Sequence, residues 1–332
     1  MSKKFIFSVS CVLFVALCTV VLVTVSIGKK TTDTEITPVF DDKSKQTEKP
    51  YCLLVTGEDR NAALCDVMML VSLDPEKERI CVLQLPRDTY AEYKKSGYRK
   101  LNGARNALGG TDGLADFLSE TLGIQIDGYV SLDLKGFRRI VDAIGGVEVD
   151  VKKALYYSDP AQNLYIDLKP GNQILDGKSA EMFVRFRSGY IRGDLDRIDA
   201  QKVFLSALFN SLKSKITAEN AYEVVNSLID SVDTDVDTVM AVALGLKALS
   251  IDKSNLIMCT LPGEDIVSKK TGASFYIMSA KPTGRLLKEY FGKADDKIDE
   301  KLRFSHKVYP DFVEIYERDF DFKTVNADKV GQ

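Results

Sequence analysis

The chain is expected to fold as an α/β protein, with a mixed central β-sheet sandwiched between helices and one transmembrane helix in front. Three observations predict this. An uncharged run of 24 residues, Phe5 to Gly28, opens the chain. Short, apolar, β-rich runs follow at Cys52–Gly57, Val67–Leu73 and Ile80–Leu85, and Asp74-Pro75-Glu76-Lys77 joins the last two as a turn of type I character, which makes a hairpin. Beyond them strands alternate with helices, and a hairpin combined with such alternation points to a mixed sheet.

As a helix the opening run spans about 36 Å, enough to cross a hydrocarbon core of about 30 Å. Lys3 and Lys4 precede it, and Lys29 and Lys30 follow. A cleaved signal peptide has an apolar region of only about 7–15 residues and a small-x-small cleavage site, so this run reads as an uncleaved anchor. Residues 1–4 then form a cytoplasmic N-terminus, 5–28 the anchor, and the body is exported, giving a single-pass protein of the cell membrane with an extracellular C-terminal domain. Cys18 follows Val15-Ala16-Leu17 and lacks the small residue that a lipoprotein signal places directly before the cysteine. Residues 29–50, rich in Thr, Asp, Lys and Glu, cannot order themselves by burial and form a tether. Only Cys52, Cys65, Cys81 and Cys259 lie beyond it, too few for a disulfide framework. Cys52 and Cys81 sit inside apolar runs and are expected as buried thiols.

The body continues with a helix capped by Thr111 or Asp112, carrying Leu114, Phe117, Leu118 and Leu122 on one face and stopped by Gly123. A second helix turns Leu134, Phe137, Val141 and Ile144 inward and ends at Gly145-Gly146. Val147–Val151 alternates like a half-buried strand. Asp176 starts a short helix through Phe183, and a long one runs from about Asp194 to Leu212. Helices are expected near Ala218–Val232, Asp235–Leu249 and Thr283–Phe291, with a strand at Leu256–Leu261. Residues 292–332 read as a C-terminal extension, in which Phe312-Val313-Glu314-Ile315-Tyr316 suits a strand.

Charge narrows the chemistry. Outside the first thirty residues the chain holds 41 of its 45 basic residues and all 48 acidic ones, a balance of −7, which is a poor footprint for a nucleic-acid binder. One histidine, His306, and no Trp leave almost no room for a His-centred triad and none for a zinc site built on several His. Chemistry here must run on Asp, Glu, Arg, Lys, Ser or Tyr.

Asp194, Arg197 and Gln201 are spaced three and four apart, and their stripe continues as Phe204, Leu205, Leu208 and Leu212. Either the polar start points at the sheet edge beside a helix N-terminus that favours anions, or it projects past the core into solvent. Val184-Arg185-Phe186-Arg187, taken as extended, places both guanidinium groups on one side. Such a pair suits phosphate or pyrophosphate, or is simply solvated and salt-bridged. Leu85-Pro86-Arg87-Asp88-Thr89 leaves a strand end with a third Arg, where ligands gather in open α/β sheets. Gly57-Glu58-Asp59-Arg60 leaves another strand, and Asp66 opens the next. Two carboxylates converging there suit Mg²⁺, or serve only capping and turn chemistry.

Taken in order, these segments resemble the LytR-CpsA-Psr family of cell-wall glycopolymer ligases over nearly all of residues 50–291. The matching motifs are Gly57-Glu58-Asp59-Arg60, Asp66-Val67-Met68-Met69-Leu70-Val71, Leu85-Pro86-Arg87-Asp88-Thr89, Lys100-Leu101-Asn102, Gly145-Gly146-Val147-Glu148-Val149, Leu175-Asp176-Gly177, Arg185-Phe186-Arg187, and Asp194 with Arg197 and Gln201. The resemblance implies that residues 51–291 are the catalytic domain of an extracellular phosphotransferase, moving a glycopolymer as its phosphosugar from undecaprenyl pyrophosphate to peptidoglycan. By position, Asp59 and Asp66 resemble the Mg²⁺ carboxylates, and Arg87, Arg185, Arg187, Arg197 and Gln201 the pyrophosphate clamp. Asp194 resembles the carboxylate that orients the clamp or receives the acceptor's proton, so Arg87 and Asp194 are the expected catalytic residues. Two positions depart from the pattern: Leu64 and Ala200 stand where the family usually has Arg. They keep a second reading open, a polyprenyl-pyrophosphate binder without turnover. A membrane-bound transcriptional regulator is a third, disfavoured by the exported acidic body.

Overall fold

The computed structural model describes residues 49–59, 64–93, 99–160, 164–186, 188, 194–215, 232–236, 238–269, 272–298 and 310–330. The expected membrane span and residues 29–48 of the tether lie outside them, and so do residues 218–231 of the expected helix near Ala218–Val232. Among the described residues no helix is long and apolar enough to cross a membrane.

β1 (Tyr51–Asp59), β2 (Leu64–Asp74) and β3 (Arg79–Leu85) form an antiparallel meander, with Leu54 opposite Leu70 and Val71 opposite Val82. The hairpin is therefore as expected, and Asp74 Oδ1 closes its turn by accepting from Lys77 N at 3.0 Å. After α1 (Ala104–Leu108) and α2 (Thr111–Leu122), β4 (Gly128–Asp133) lies parallel to β1 and leads into α3 (Leu134–Ala143). β5 (Val147–Val151) pairs with β8 (Gly171–Leu175), enclosing the hairpin of β6 (Leu155–Asp159) and β7 (Leu164–Leu168). Then come α4 (Gly177–Arg185), α5 (Asp194–Lys215), β9 (Val232–Thr234), α6 (Thr238–Ser250) and β10 (Leu256–Thr260), which runs parallel to β3. The β11 (Gly263–Val267) and β12 (Ser274–Met278) ribbon, α7 (Ala280–Tyr290), α8 (Pro310–Glu317) and β13 (Thr324–Asn326) complete the body. The central sheet has the order β13-β10-β3-β2-β1-β4-β9, parallel at β10/β3 and β1/β4 and antiparallel elsewhere.

Period-two alternation builds two cores from the same strands. Leu53, Val55, Met69, Val71 and Val82 face the layer containing Phe137 and Phe204, while Cys52, Leu54, Met68, Leu70 and Leu83 face the layer of Leu118, Leu286 and Phe312. Because both faces of β2 are covered, its sequence is a continuous apolar run rather than an alternating one. The sheet is thus sandwiched between helices, as expected. Burial also pushes the Cys65 thiol up to about 12 and raises Cys52 and Cys81, and the four cysteines of the body are free and buried.

Several boundaries differ from expectation. Gly110, not Thr111 or Asp112, caps α2, because the Thr111 hydroxyl is taken by Arg105 Nε at 2.9 Å. The helix expected at Thr283–Phe291 begins earlier, at Ala280, since Pro282 sits in the first turn where a missing N–H costs nothing. The helix expected from Asp235 begins at Thr238, because Asp235 Oδ1 instead accepts from Tyr129 N and pins β4. Val232, expected at a helix end, opens edge strand β9. Phe312–Tyr316 is helical, not a strand: Phe312, Ile315 and Tyr316 are buried while Glu314 is exposed, which is a helical stripe. Residues 310–330 belong to the body, since α8 packs in the second core and β13 extends the sheet beyond β10.

Asp176 caps α4 as expected, its Oδ1 accepting from Ser179 N at 2.7 Å. Gly177 follows because any Cβ there would collide with the Arg138 carbonyl of α3, while its N–H donates to Asp142 Oδ1 at 2.7 Å. The backbone bond from Ser179 holds the Asp176 carboxyl below its usual range. An acid with a lowered folded pKa stabilises the fold above its unfolded pKa and loses that contribution as pH falls through the folded one. Asp176→Ala is expected to cost about 1 kcal/mol in urea unfolding at neutral pH. The gap to the parent should shrink below about pH 4; a gap that widened there would contradict the cap.

Candidate active site at the strand ends

β1, β3, β4 and β10 all run the same way, so Asp59, Leu85, Asp133 and Thr260 end at one edge of the sheet. Such carboxyl ends are where open α/β sheets bind ligands. β2 starts at this edge with a β-bulge: Gly57 pairs with Val67 but Glu58 with Cys65, leaving Asp66 as the extra residue. The bulge re-aims the strand, so Cys65 and Met68, three apart, face the same core while Val67 faces the other.

Asp66 meets Arg87 across this edge. Arg87 Nη1 donates to Asp66 Oδ1 at 2.9 Å, with side chains only 7% and 3% exposed. The backbone after β3 holds the arginine in place through a turn from Thr89 N to Pro86 O, and through Asn102 N donating to the Arg87 carbonyl at 3.0 Å. Charge then alternates outward, with Asp88 Oδ2 at 3.8 Å from Arg87 Nε and Asp88 Oδ1 at 2.7 Å from Lys100 Nζ. This accounts for Lys100-Leu101-Asn102 as a motif: one residue supplies the cation and another the backbone donor.

A second ion pair was not read from the sequence. Arg105 Nη2 lies 2.6 Å from Glu58 Oε1, and Ser131 also donates to that carboxylate oxygen. Arg105 belongs to the single-turn α1, whose five residues show no periodicity. Its only signal was the motif just before it.

The third group lies between α4 and α5. Arg197 and Gln201 are 2% and 3% exposed and share a buried stripe with Phe204, Leu205 and Leu208, so the polar start of α5 is an inner face and not a solvated one. Gln201 Nε2 donates to the Val184 carbonyl at 3.5 Å. Arg185 is not in an extended segment as expected. It ends α4 helically, and its guanidinium bonds Glu181 four residues back. Glu181 also bonds Arg138, and that carboxylate raises the Arg138 pKa above its usual value. Arg187 and the side chains of Asp59 and Asp194 lie outside the described residues, although Asp59 closes β1 and Asp194 opens α5. Of the two departures, Leu64 is half-buried opposite Asp59, and Ala200 packs against the first core.

α5 reaches the same edge as Arg87. Its Leu195, Asp199 and Lys202 line a cavity with Thr260 and Leu261, and Leu261 N bonds the Gln84 carbonyl, three residues before Arg87. The structure therefore joins Asp66 to Arg87 directly and gathers Arg197 and Gln201 at the same end of the sheet. Buried guanidinium groups at strand ends, beside the N-terminus of a 22-residue helix, make a water-poor edge whose donors suit an anion.

The comparisons agree with this architecture. The LytR_cpsA_psr family model matches residues 19–291, and the chain belongs to that family. It is 29% identical over 260 residues to the polyisoprenyl-teichoic acid–peptidoglycan teichoic acid transferase TagU of Oceanobacillus iheyensis, covering 77% of this chain and 78% of that one. It is 27% identical over 227 residues to TagV of Bacillus subtilis, a transferase of the same description, covering 66% of this chain and 58% of TagV. The crystal structure of B. subtilis TagV superposes with a TM-score of 0.62 at 25% identity, covering 73% of this chain and 95% of that structure.

Removing Arg87 leaves Asp66 as a buried charge whose guanidinium partner is gone. Arg87→Ala is expected to cost about 3–5 kcal/mol in denaturant unfolding, and Asp66→Asn added to it should recover part of the loss. A change within about 0.5 kcal/mol, as at a solvated surface site, would contradict the burial of the pair.

Proposed function

We propose that this protein is a membrane-anchored extracellular phosphotransferase that moves a glycopolymer from a polyprenyl-pyrophosphate carrier to peptidoglycan. The observation that carries the reading is the water-poor edge itself, where the buried Asp66–Arg87 pair stands at the strand ends, with Arg197 and Gln201 buried in the first turns of α5. The activity for which its relatives are named, transfer of teichoic acid from a polyisoprenyl carrier to peptidoglycan, supports the same chemistry. The uncharged Phe5–Gly28 run supplies the anchor.

In the reaction an acceptor hydroxyl oxygen bonds the phosphorus that carries the glycan. The bond from that phosphorus to the bridging oxygen breaks, and polyprenyl monophosphate leaves with the electron pair. Phosphoryl transfer of this kind needs positioning and charge neutralisation more than a covalent nucleophile. Arg87, Arg185, Arg187, Arg197 and Gln201 form the clamp on the pyrophosphate. Asp194 orients it or takes the hydroxyl's proton. Asp66 aligns the Arg87 fork, and the bulge that presents it depends on the Gly57 register.

The donor chemistry at this edge fits a hard cation. Asp59 ends β1 and Asp66 stands on the bulge of the neighbouring strand, and two carboxylates suit Mg²⁺, which fills its other positions with phosphate oxygens and water. Asp59 and Asp66 would hold the ion, and a bound Mg²⁺ would neutralise charge on the pyrophosphate and its leaving oxygen. A second reading, carrier binding without turnover, draws on Leu64 and on Ala200, whose packing against the first core leaves the clamp without two arginines usual in the family.

Titration of a short-chain polyprenyl pyrophosphate with Mg²⁺ tests the clamp. Arg87→Ala, Arg185→Ala and Arg197→Ala should each weaken binding by roughly 1.5–3 kcal/mol, about ten- to a hundredfold, through the loss of a charge-assisted hydrogen bond. Arg185→Lys should rescue only in part, because an ammonium lacks the planar fork. Parental affinity in all three Ala variants would sink the reading, and intact binding with no Mg²⁺-dependent release of polyprenyl phosphate would favour the binder.

A further inference from the structure

The cavity that Leu195, Asp199 and Lys202 line has a volume of about 500 Å³ and lies on the opposite flank of α5 from Arg197 and Gln201. That volume falls within the roughly 300–1,000 Å³ of small-molecule sites. Asp199 and Lys202 of α5 form one wall, Glu264 and Tyr276 of the β11/β12 ribbon another, and residues 320–323 close it from the C-terminal segment. Residues 320–323 fall beyond the span that matches the family model, 19–291.

The cavity adjoins the Arg87 centre. Tyr276 N donates to the carbonyl of Asp88, the residue after Arg87, at 2.9 Å, and Tyr276 Oη donates to the Leu261 carbonyl at 2.5 Å. One rigid ring therefore belongs to the cavity wall while its backbone braces the Arg87 turn. The closing segment is also fixed, since Arg285 donates to the Phe320 carbonyl at 2.7 Å and pairs with Asp319 at 2.7 Å.

The lining selects the chemistry of the occupant. Asp199, Lys202, Glu264, Asp321 and Lys323 carry five charges, and an apolar polyprenyl tail would have to desolvate them without return. An anion would meet three carboxylates against two ammonium groups. A neutral, hydroxyl-rich ligand with apolar faces fits: the half-buried Phe320 and Phe322 offer aromatic surface, and the carboxylates accept from hydroxyl groups through the oxygens not engaged in the Asp199–Lys202 and Glu264–Arg318 pairs.

We infer that this cavity is a saccharide subsite that receives the glycan of the acceptor and holds it beside the Arg87 centre. The inference rests on the transferase reading for the role of its ligand. The probe is a soluble peptidoglycan glycan oligosaccharide freed of its peptides, titrated into the full chain in detergent, with carrier affinity measured on the same samples. Phe320→Ala and Asp321→Asn should each weaken oligosaccharide binding on the order of tenfold and leave carrier binding unchanged. Asp321 is exposed, so its substitution keeps the test clear of folding effects if Phe320→Ala also loses the carrier. A parent that does not bind the oligosaccharide, or variants that bind it as the parent does, would overturn the subsite. If the oligosaccharide binds the parent, is lost from the variants, and yet no transfer product forms, the subsite stands and the transferase reading falls.

Discussion

A carboxylate and a guanidinium buried together at the edge of a sheet covered on both faces is the constraint around which this molecule is arranged. Desolvating two charges is expensive, and their mutual attraction repays it only when geometry is good and the remaining polar atoms are served. The fold meets part of that demand locally. A bulge presents Asp66, the turn after β3 holds Arg87 by its own carbonyl, and Asp88 and Lys100 extend the alternation of charge toward solvent. A buried pair of this kind is weak evidence for stability, and on the proposed reading it serves the anionic site rather than folding.

Arg185 repeats the pattern with Glu181 and Arg138 one layer away. In both places a carboxylate holds the Nη1 of a guanidinium, which on the proposed reading reduces the ordering an anion must cause on binding. Arg197 and Gln201 reach the same end of the sheet by a different device. They begin a stripe whose apolar continuation, Phe204, Leu205 and Leu208, anchors α5 in the first core and carries its polar start inward. Packing and chemistry are therefore one stripe of one helix.

Much of this was legible in the sequence because the signal was periodic. Leu114, Phe117, Leu118 and Leu122 marked α2, Val147–Val151 marked β5, and the α5 stripe predicted the helix while leaving its polar start either inward or solvated. The failures have physical causes. Phe312–Tyr316 is too short a run for its period to separate strand from helix, and contacts in the second core decided it. α4 continues to Arg185 because no glycine stops it at Phe183, which removed the premise for placing Arg185 and Arg187 on one extended face. β9 and β13 are three-residue edges held by pairing that only the tertiary fold supplies. In the site, Asp66 and Arg87 were each singled out, yet their direct bond follows from a bulge and a turn. The Glu58–Arg105 pair has no spacing that reveals it, since its members lie 47 positions apart, at 58 and 105, on a strand and a single-turn helix.

The central claim, that the Asp66–Arg87 pair is kept for the anionic site rather than for the fold, is tested most directly by replacing both partners at once. The measurement is unfolding free energy together with affinity for a short-chain polyprenyl pyrophosphate in the Asp66→Leu, Arg87→Met double variant. The account predicts stability equal to or above that of the parent, because apolar residues of similar volume avoid the desolvation of two charges, with carrier binding lost. A double variant that unfolds several kcal/mol more easily while still binding the carrier would contradict it.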